Sequence, residues 1–320
     1  MKFPREFSLP LFVVAMGISI VCAPALCGEL SNTNRFTLKM VVTNDVAVVA
    51  IQGPGTNTTG VMNLFFKTNF TDSEGWTWLL RCPACQTNLV LSNLPPSQGF
   101  FMLGATNTIR PAFDIYSLPR EDDDPSTNAL LPFALNFYGS TFSNLWVNNN
   151  GNVTFDNPQS SYTPDNLNAL GIRIIAPFWA DVDTRDSGSD VVKYGTNSVD
   201  GHLAFGVNWV NVGYFSMHTD KLLSCQLVLI DRSDIAPGDF DVEFNYDKVE
   251  WEWGDANPPN TAPPRAGFSD GTDDYELPGS GVLGAFLDSN TETGLIYHHS
   301  TNCMVPGRYI FPFRNGEPPH

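Results

Sequence analysis

Asp241-Val242-Glu243-Phe244-Asn245-Tyr246 alternates polar and apolar residue by residue. Successive side chains on a strand point to opposite faces, so this stretch reads as a β-strand with one face in a core and the other in solvent. The pattern extends outward in both directions. Short β-branched and aromatic segments recur at residues 36–42, 46–51, 64–67, 89–91, 144–147, 153–155 and 226–230, separated by Gly, Asn, Asp and Pro. With 26 Gly and 24 Pro in 320 residues, there is little room for long helices. Many short strands spaced by turns predict an all-β chain built as a sandwich or barrel.

The stretch Trp146-Val147-Asn148-Asn149-Asn150-Gly151-Asn152-Val153-Thr154-Phe155 adds a turn signal. Asn and Gly both tolerate positive φ, so Asn150-Gly151 between two apolar runs predicts a hairpin. Residues 119–125, Pro-Arg-Glu-Asp-Asp-Asp-Pro, are acidic and bounded by prolines, the composition of a segment that cannot bury itself. The expected organisation is a small N-terminal β domain at 30–104, a linker at 105–125 and a main domain at 126–314.

The termini and charges set the compartment. Lys2 and Arg5 precede an apolar run at residues 9–21, and Ala23-Pro24-Ala25 offers the small residues a signal peptidase reads. Residues 1–25 are therefore read as a signal peptide, with cleavage after Ala25, Cys27 or Gly28. No later apolar stretch approaches the length of a bilayer span, so no membrane span is expected after cleavage. With 17 Lys or Arg against 34 Asp or Glu, the net charge is −17. That field disfavours nucleic acid and anionic membranes. Apolar residues at 42% against 16% charged support a folded, buried core.

Cleavage after Gly28 leaves Cys82, Cys85, Cys225 and Cys303, an even count that in an exported chain favours disulfides. Of the three pairings, Cys82–Cys85 with Cys225–Cys303 is preferred on sequence proximity. Cys82-Pro83-Ala84-Cys85 also has the form of half a zinc site or a redox motif. It lacks a second ligand pair, however, and lies between strand-like segments. Asn-x-Thr sequons occur at Asn57, Asn69 and Asn152, and accept glycans only in a suitable eukaryotic host.

A series of motifs in the main domain carries a family resemblance. Leu131-Pro132-Phe133 and Asn136-Phe137-Tyr138-Gly139 precede the hairpin. Ile174-Ile175-Ala176-Pro177-Phe178-Trp179-Ala180-Asp181-Val182-Asp183-Thr184-Arg185 follows it, then Val249-Glu250-Trp251, Ala266-Gly267-Phe268 and Leu277-Pro278-Gly279-Ser280. In this order they resemble the nidogen-like extracellular domain over roughly residues 130–281. The closing Gly307-Arg308-Tyr309-Ile310-Phe311-Pro312 looks like the tail of bacterial exported members. The resemblance implies an extracellular role in matrix or cell-surface adhesion and supplies no catalytic residues. The chain departs from the animal architecture in lacking Cys-rich EGF-like repeats.

The five histidines, His202, His218, His298, His299 and His320, form no His-Glu-x-x-His motif, and there is no Gly-x-Ser-x-Gly or phosphate-binding loop. Asp181, Asp183 and Asp186, followed by Asp190, lie in a Gly/Ser-containing loop after an apolar strand. Hard cations seek such oxygens, which makes the first three a candidate calcium site. It is not an EF-hand: counted from Asp181 or Asp183, position 12 falls on Val192 or Tyr194 rather than Glu.

The pairs Asp181/Asp183 and Glu250/Glu252 raise a glycoside-hydrolase hypothesis, which needs two carboxyls about 5–9.5 Å apart. Trp251 and Trp253, with Trp209 and Tyr214, are candidates for a sugar-stacking platform, although filling the core is the simpler fate for large aromatics. The expectation is a secreted, non-enzymatic protein whose partner is a matrix protein, a cell-surface protein or a glycan. A carbohydrate-binding module is the alternative.

Overall fold

In a computed structural model, residues 108–123, 125–253, 262–303 and 305–319 are described, with backbone alone at 125–127; before residue 108 only strand backbones are described. The chain divides into two compact units, Met1–Asn107 and Thr108–His320.

In the first unit the strands are β1 (Val14–Ala15), β2 (Ile18–Ile20), β3 (Thr37–Thr43), β4 (Val46–Gln52), β5 (Val61–Lys67), β6 (Thr77–Pro83), β7 (Asn88–Leu91) and β8 (Gly99–Gly104). They form a five-stranded sheet, β1-β2-β8-β5-β6, and a three-stranded one, β3-β4-β7. The rest of the signal segment, the side chains of Cys82 and Cys85, and the sequons at Asn57 and Asn69 lie outside the described residues.

The described residues of the second unit form thirteen strands. They are β9 (Tyr116–Ser117), β10 (Pro125–Phe137), β11 (Ser140–Asn148), β12 (Asn152–Thr154), β13 (Ile174–Trp179), β14 (Val182–Asp183) and β15 (Lys193–Val199), followed by β16 (His202–Tyr214), β17 (His218–Asp231), β18 (Phe240–Val249), β19 (Arg265–Ser269), β20 (Asp274–Glu276) and β21 (Arg308–Phe313). One sheet has the order β10-β11-β12-β13-β19-β20. The other has β21-β18-β17-β16-β15-β9, with β14 also pairing β16. All pairings within this unit are antiparallel. Apart from 3-10 turns, no helix occurs among the described residues. The fold is all-β and sandwich-like. Among the described residues no helix is long and apolar enough to cross a membrane.

The predicted hairpin is present. Asn148 pairs with Asn152 across it, and Gly151 sits at φ +72°. A Cβ at Gly151 would meet the Phe178 carbonyl oxygen at 1.7 Å, so both conformation and close approach demand glycine there. Aromatic side chains join the two sheets. Phe137 lies 5.2 Å from Phe313, and Phe268 lies 5.3 Å from Phe311 and 5.0 Å from Phe313. The buried Tyr246 hydroxyl donates to the Pro177 carbonyl at 2.6 Å. Phe240, Val242, Phe244 and Tyr246 thus face the core as the alternating pattern predicts.

The opposite face of β18 does not meet water. Glu243 and Asn245 are fully buried and Asp241 nearly so. Residues 108–118, expected to belong to a linker, cover that face instead. Arg110 makes a two-pronged bond to Glu243, at 2.6 and 2.8 Å, and its backbone exchanges hydrogen bonds with the Gln226 side chain. The Asn208 amide donates to the carbonyls of Ala112 and Phe113, and Arg308 reaches both Asn245 and the Thr108 carbonyl. Phe113 is 1% exposed and packs with Val199, Ala204, Val228 and Ile230. A Cβ on Gly206 would meet its ring at 2.5 Å. Ala112 and Phe113 both adopt positive φ to make the bend. The main unit therefore starts at Thr108 rather than at 126. An aromatic anchor and an arginine bind this segment to a polar sheet face that needed partners.

Two further expectations are corrected. Cys225 and Cys303 are both free thiols. Cys225 pairs in register with Tyr246 and shares its core-facing side, and burial pushes its thiol well up. Cys303 lies within the field of Arg308, Glu243 and Arg110, on the other face of the sheet. The sheet itself separates the two sulfurs. Asn152 is fully buried, accepts from Asn148 and donates to the Asn150 carbonyl, which leaves no room for a glycan.

Candidate functional site

The apolar run of β13 ends in Asp181, whose N–H donates to the Trp253 carbonyl at 2.8 Å and whose carbonyl accepts from Phe215 at 3.1 Å. β14 then pairs with the end of β16 at Tyr214 and Gly213. The hairpin loop closes over this corner. The Asn150 side chain accepts from the Val182 N–H at 2.9 Å and donates to Asp123 at 2.9 Å. The Asn149 side-chain amide donates to the carbonyls of Val182 and Asp122, while the Asn149 backbone carbonyl accepts from the Trp209 indole. From the other side, the Thr184 N–H donates to the Glu121 carbonyl while the Glu121 N–H donates to the Thr184 hydroxyl, and Arg120 ties together the carbonyls of Thr184, Asp186 and Ser189.

The outcome is a knot of carboxylates different from the one the sequence pointed to. Asp122, Asp123 and Asp181 offer carboxylate oxygens that all lie within 4.8 Å of one another. Asp181 is 1% exposed. Asp183 is turned to Arg185, which grips it through Nε at 2.9 Å and Nη2 at 2.5 Å, and the Met217 N–H adds a third bond. Burial works to raise the Asp183 carboxyl, yet the hydrogen bonds from Arg185 and Met217 hold it below its ordinary value. Asp186 accepts from the Gly188 N–H, a local turn bond. Of the predicted trio only Asp181 belongs to the cluster. Its companions Asp122 and Asp123 come from the acidic stretch read as linker. Burial first, then the charges of Asp183 and Asp123, push the Asp122 carboxyl up to about 6.

The remaining candidates take structural positions. Trp251 is 3% exposed, donates to the Val212 carbonyl and meets Phe178 edge-on at 5.6 Å, so it fills core rather than presenting a face to sugar. Trp209 is fully buried as well. Trp253 is half-buried against Tyr214. Glu252 accepts from the N–H groups of Gly284 and Phe286, although burial still raises its carboxyl. Glu250 accepts from the Leu222 N–H. Both glutamates are thus engaged by backbone amides, and Asp183 is held by Arg185 rather than turned to Asp181.

Elsewhere in this unit a concavity of about 640 Å³ is lined by Tyr275, Leu277, His298, His299, Tyr309 and Phe311 among others. His298 and His299 are each tied to a backbone carbonyl, of Glu292 and Ser300 respectively. Nothing in the spacing of these residues marked the groove in advance.

The comparisons with known proteins agree with this architecture. Alpha-tectorin of Mus musculus is 29% identical over 222 residues, covering 60% of this chain and 10% of that protein. Nidogen of Drosophila melanogaster is 28% identical over 228 residues, covering 62% and 16%. Nidogen-2 of Mus musculus is 33% identical over 98 residues, covering 30% and 7%. The chain thus spans between about a fourteenth and a sixth of the length of these relatives. No solved structure matches. These relatives are animal proteins and lend no support to the bacterial character read from the tail. The family profile described as "Nidogen-like domain" matches residues 143–315, more than half of the chain, and the chain belongs to the nidogen-like (NIDO) domain family.

Proposed function

We propose that the protein works outside the cell as a non-catalytic binding module, attaching through its nidogen-like unit to a matrix or cell-surface component. The family match over residues 143–315 carries this reading. It is supported by relatives named for tectorin and nidogen, and by the signal-like N-terminus. Placement of the acidic side chains also favours binding over catalysis. Glu250, Glu252 and Asp183 are each engaged by backbone or by arginine.

The test is a solid-phase binding assay of the full secreted chain on extracellular-matrix preparations, before and after protease or glycosidase treatment of the matrix. Saturable binding lost on protease treatment is the expected result. Turnover of glycan substrates by the purified chain would contradict the reading.

A glycan ligand is the second reading. The observation favouring it is the open groove, whose aromatic lining includes a 40%-exposed Tyr275. Loss of binding on glycosidase rather than protease treatment would select it, and the groove would then replace Trp251 and Trp253 as the platform.

A further inference from the structure

We propose that the outer edge of β15 at residues 196–198, with the apolar cleft beside it, receives an extended peptide segment of a protein partner as an added β-strand. This rests on the reading of the unit as a binding module and names the surface that binds.

Register shows which backbone groups are open. Val199 and His202 close a two-residue hairpin through Asp200 and Gly201, both at positive φ. The closing pair of such a hairpin exchanges both hydrogen bonds, and bonded and unbonded positions then alternate along the ladder. Val199, Asn197, Gly195 and Lys193 therefore direct their backbone groups to β16, while Ser198, Thr196, Tyr194 and Val192 point theirs outward. The outward set is only partly taken. The Val192 carbonyl accepts from the Leu118 N–H at 2.9 Å, and Tyr194 pairs with Tyr116 of β9. There β9 ends, because Ala112 and Phe113 carry the chain off to the other face of the sheet. Thr196 and Ser198 are exposed, and among the described residues nothing bonds to their outward N–H and C=O groups.

The opposite end of the same sheet has a closed edge. On β21 the Ile310 N–H donates to the Ser300 hydroxyl at 2.9 Å and the Ile310 carbonyl accepts from the Asn302 amide at 3.3 Å. The Arg308 carbonyl accepts from the Ser300 N–H, and Pro312 has no N–H to offer. Proteins cover edges in this way against unwanted pairing. Residues 196–198 carry no such cover among the described residues, and a backbone strand is what supplies donors and acceptors at their spacing.

Side chains and charge narrow the occupant. Thr196 shares a face with its partner Phe205, and both line an apolar cleft of about 460 Å³ that residues 128–132 of β10 also line. Beside it Leu130 is 78%, Tyr116 59% and Leu203 51% exposed. A strand with apolar side chains at every second position would cover them. A second copy of this chain is a poorer match, because its own open edge brings polar Thr196 and Ser198 to the cleft. Asp114, just before β9, and Asp200, in the hairpin turn, flank the open stretch, and both are exposed. The arginines that feel the charge of Asp200, Arg110 and Arg308, are bonded to Glu243. The segment that fits is short, apolar at alternate positions and basic at its ends.

The probe is a synthetic peptide, Lys-Val-Thr-Val-Thr-Val-Lys, titrated into the full secreted chain. In the antiparallel register of β9 its valines face the cleft and bring their N–H and C=O groups to Thr196 and Ser198. Saturable binding is expected, with slowed amide exchange at those two residues. Methylating the valine nitrogens should weaken binding by about tenfold or more, whereas methylating the threonine nitrogens, which face away, should not. Thr196→Pro removes an outward N–H and no bond to β16, and should abolish binding, while Thr196→Val should retain it. The proposal is overturned if the peptide does not bind, or binds equally well when its valines are methylated. Self-association of the chain that Thr196→Pro abolishes would put a second copy on the edge and overturn the assignment to a partner. Saturable matrix binding unchanged in Thr196→Pro would overturn the edge as the binding surface and leave the binding-module reading standing. Peptide uptake at the edge by a chain that binds no matrix would support the edge site and remove matrix attachment instead.

Discussion

Residues 108–123 meet the sandwich at two places, and the two meetings differ in charge. At the first, the segment brings Arg110 to a buried Glu243 and a phenylalanine to a waiting apolar patch, with the glutamate fully matched. At the second, it brings Asp122 and Asp123 to a buried Asp181, like charge onto like. Buried charge persists only when compensated. The first contact sets arginine against glutamate, whereas the second gathers acids whose nearest arginine, Arg185, is shared between Asp122 and Asp183.

The largest effect expected on this comparison is at the matched end. Arg110→Ala strips Glu243 of its two-pronged partner and leaves Arg308 at 3.3 Å. Breaking a buried pair from one side should lower stability by about 4 kcal/mol, measured by urea unfolding. A loss under about 1 kcal/mol would mean that residues 108–118 are a removable cover. Phe113→Ala should follow with a loss of about 3 kcal/mol, from the cavity left against Gly206 and Val228. Its unfolding curve should keep the wild-type slope, since only one side chain is lost.

The smallest effect is a pH dependence at the acidic end. Burial and its acidic neighbours raise the Asp122 carboxyl to about 6, above its ordinary 3.8. Its stabilising contribution is fully present below the ordinary value and is lost as pH rises through about 6. Asp183, held below its ordinary value, acts the other way, contributing above that value and losing its contribution as pH falls. The stability of the wild-type chain relative to Asp122→Asn should decline between pH 4 and pH 7. The decline should stay under about 1 kcal/mol, because solvent screens a partly exposed carboxyl. A difference that stays flat with pH would show that Asp122 is not crowded.

Much of the fold was legible because it follows local rules. Period-two alternation placed the core face of β18, and Asn150-Gly151 placed the hairpin. The aromatics went to the space between the sheets, as large apolar rings do. What could not be read depends on contacts far apart in sequence. The polar face of β18 looked solvated because its cover, Arg110, lies 133 residues away. The acidic stretch around Asp122 looked like a linker because composition cannot show that a neighbouring anchor at Phe113 holds it down. Local spacing grouped Asp181 with Asp183 and Asp186, although Arg185, two residues beyond Asp183, was present to claim it. The two cysteines were paired by proximity, but strand parity turns Cys225 to the core, while Cys303 lies in a turn near Glu243 and Arg110 on the other face of the sheet.

The most direct test of this account is hydrogen–deuterium exchange across residues 108–123 of the full chain. The Arg110 and Leu118 amides, bonded to the Gln226 side chain and the Val192 carbonyl, should be protected. The Glu121 amide, bonded to the Thr184 hydroxyl, should be protected as well. Exchange at unprotected rates throughout 108–123 would contradict the account, returning the segment to the role of a linker and leaving Asp181 without its companions.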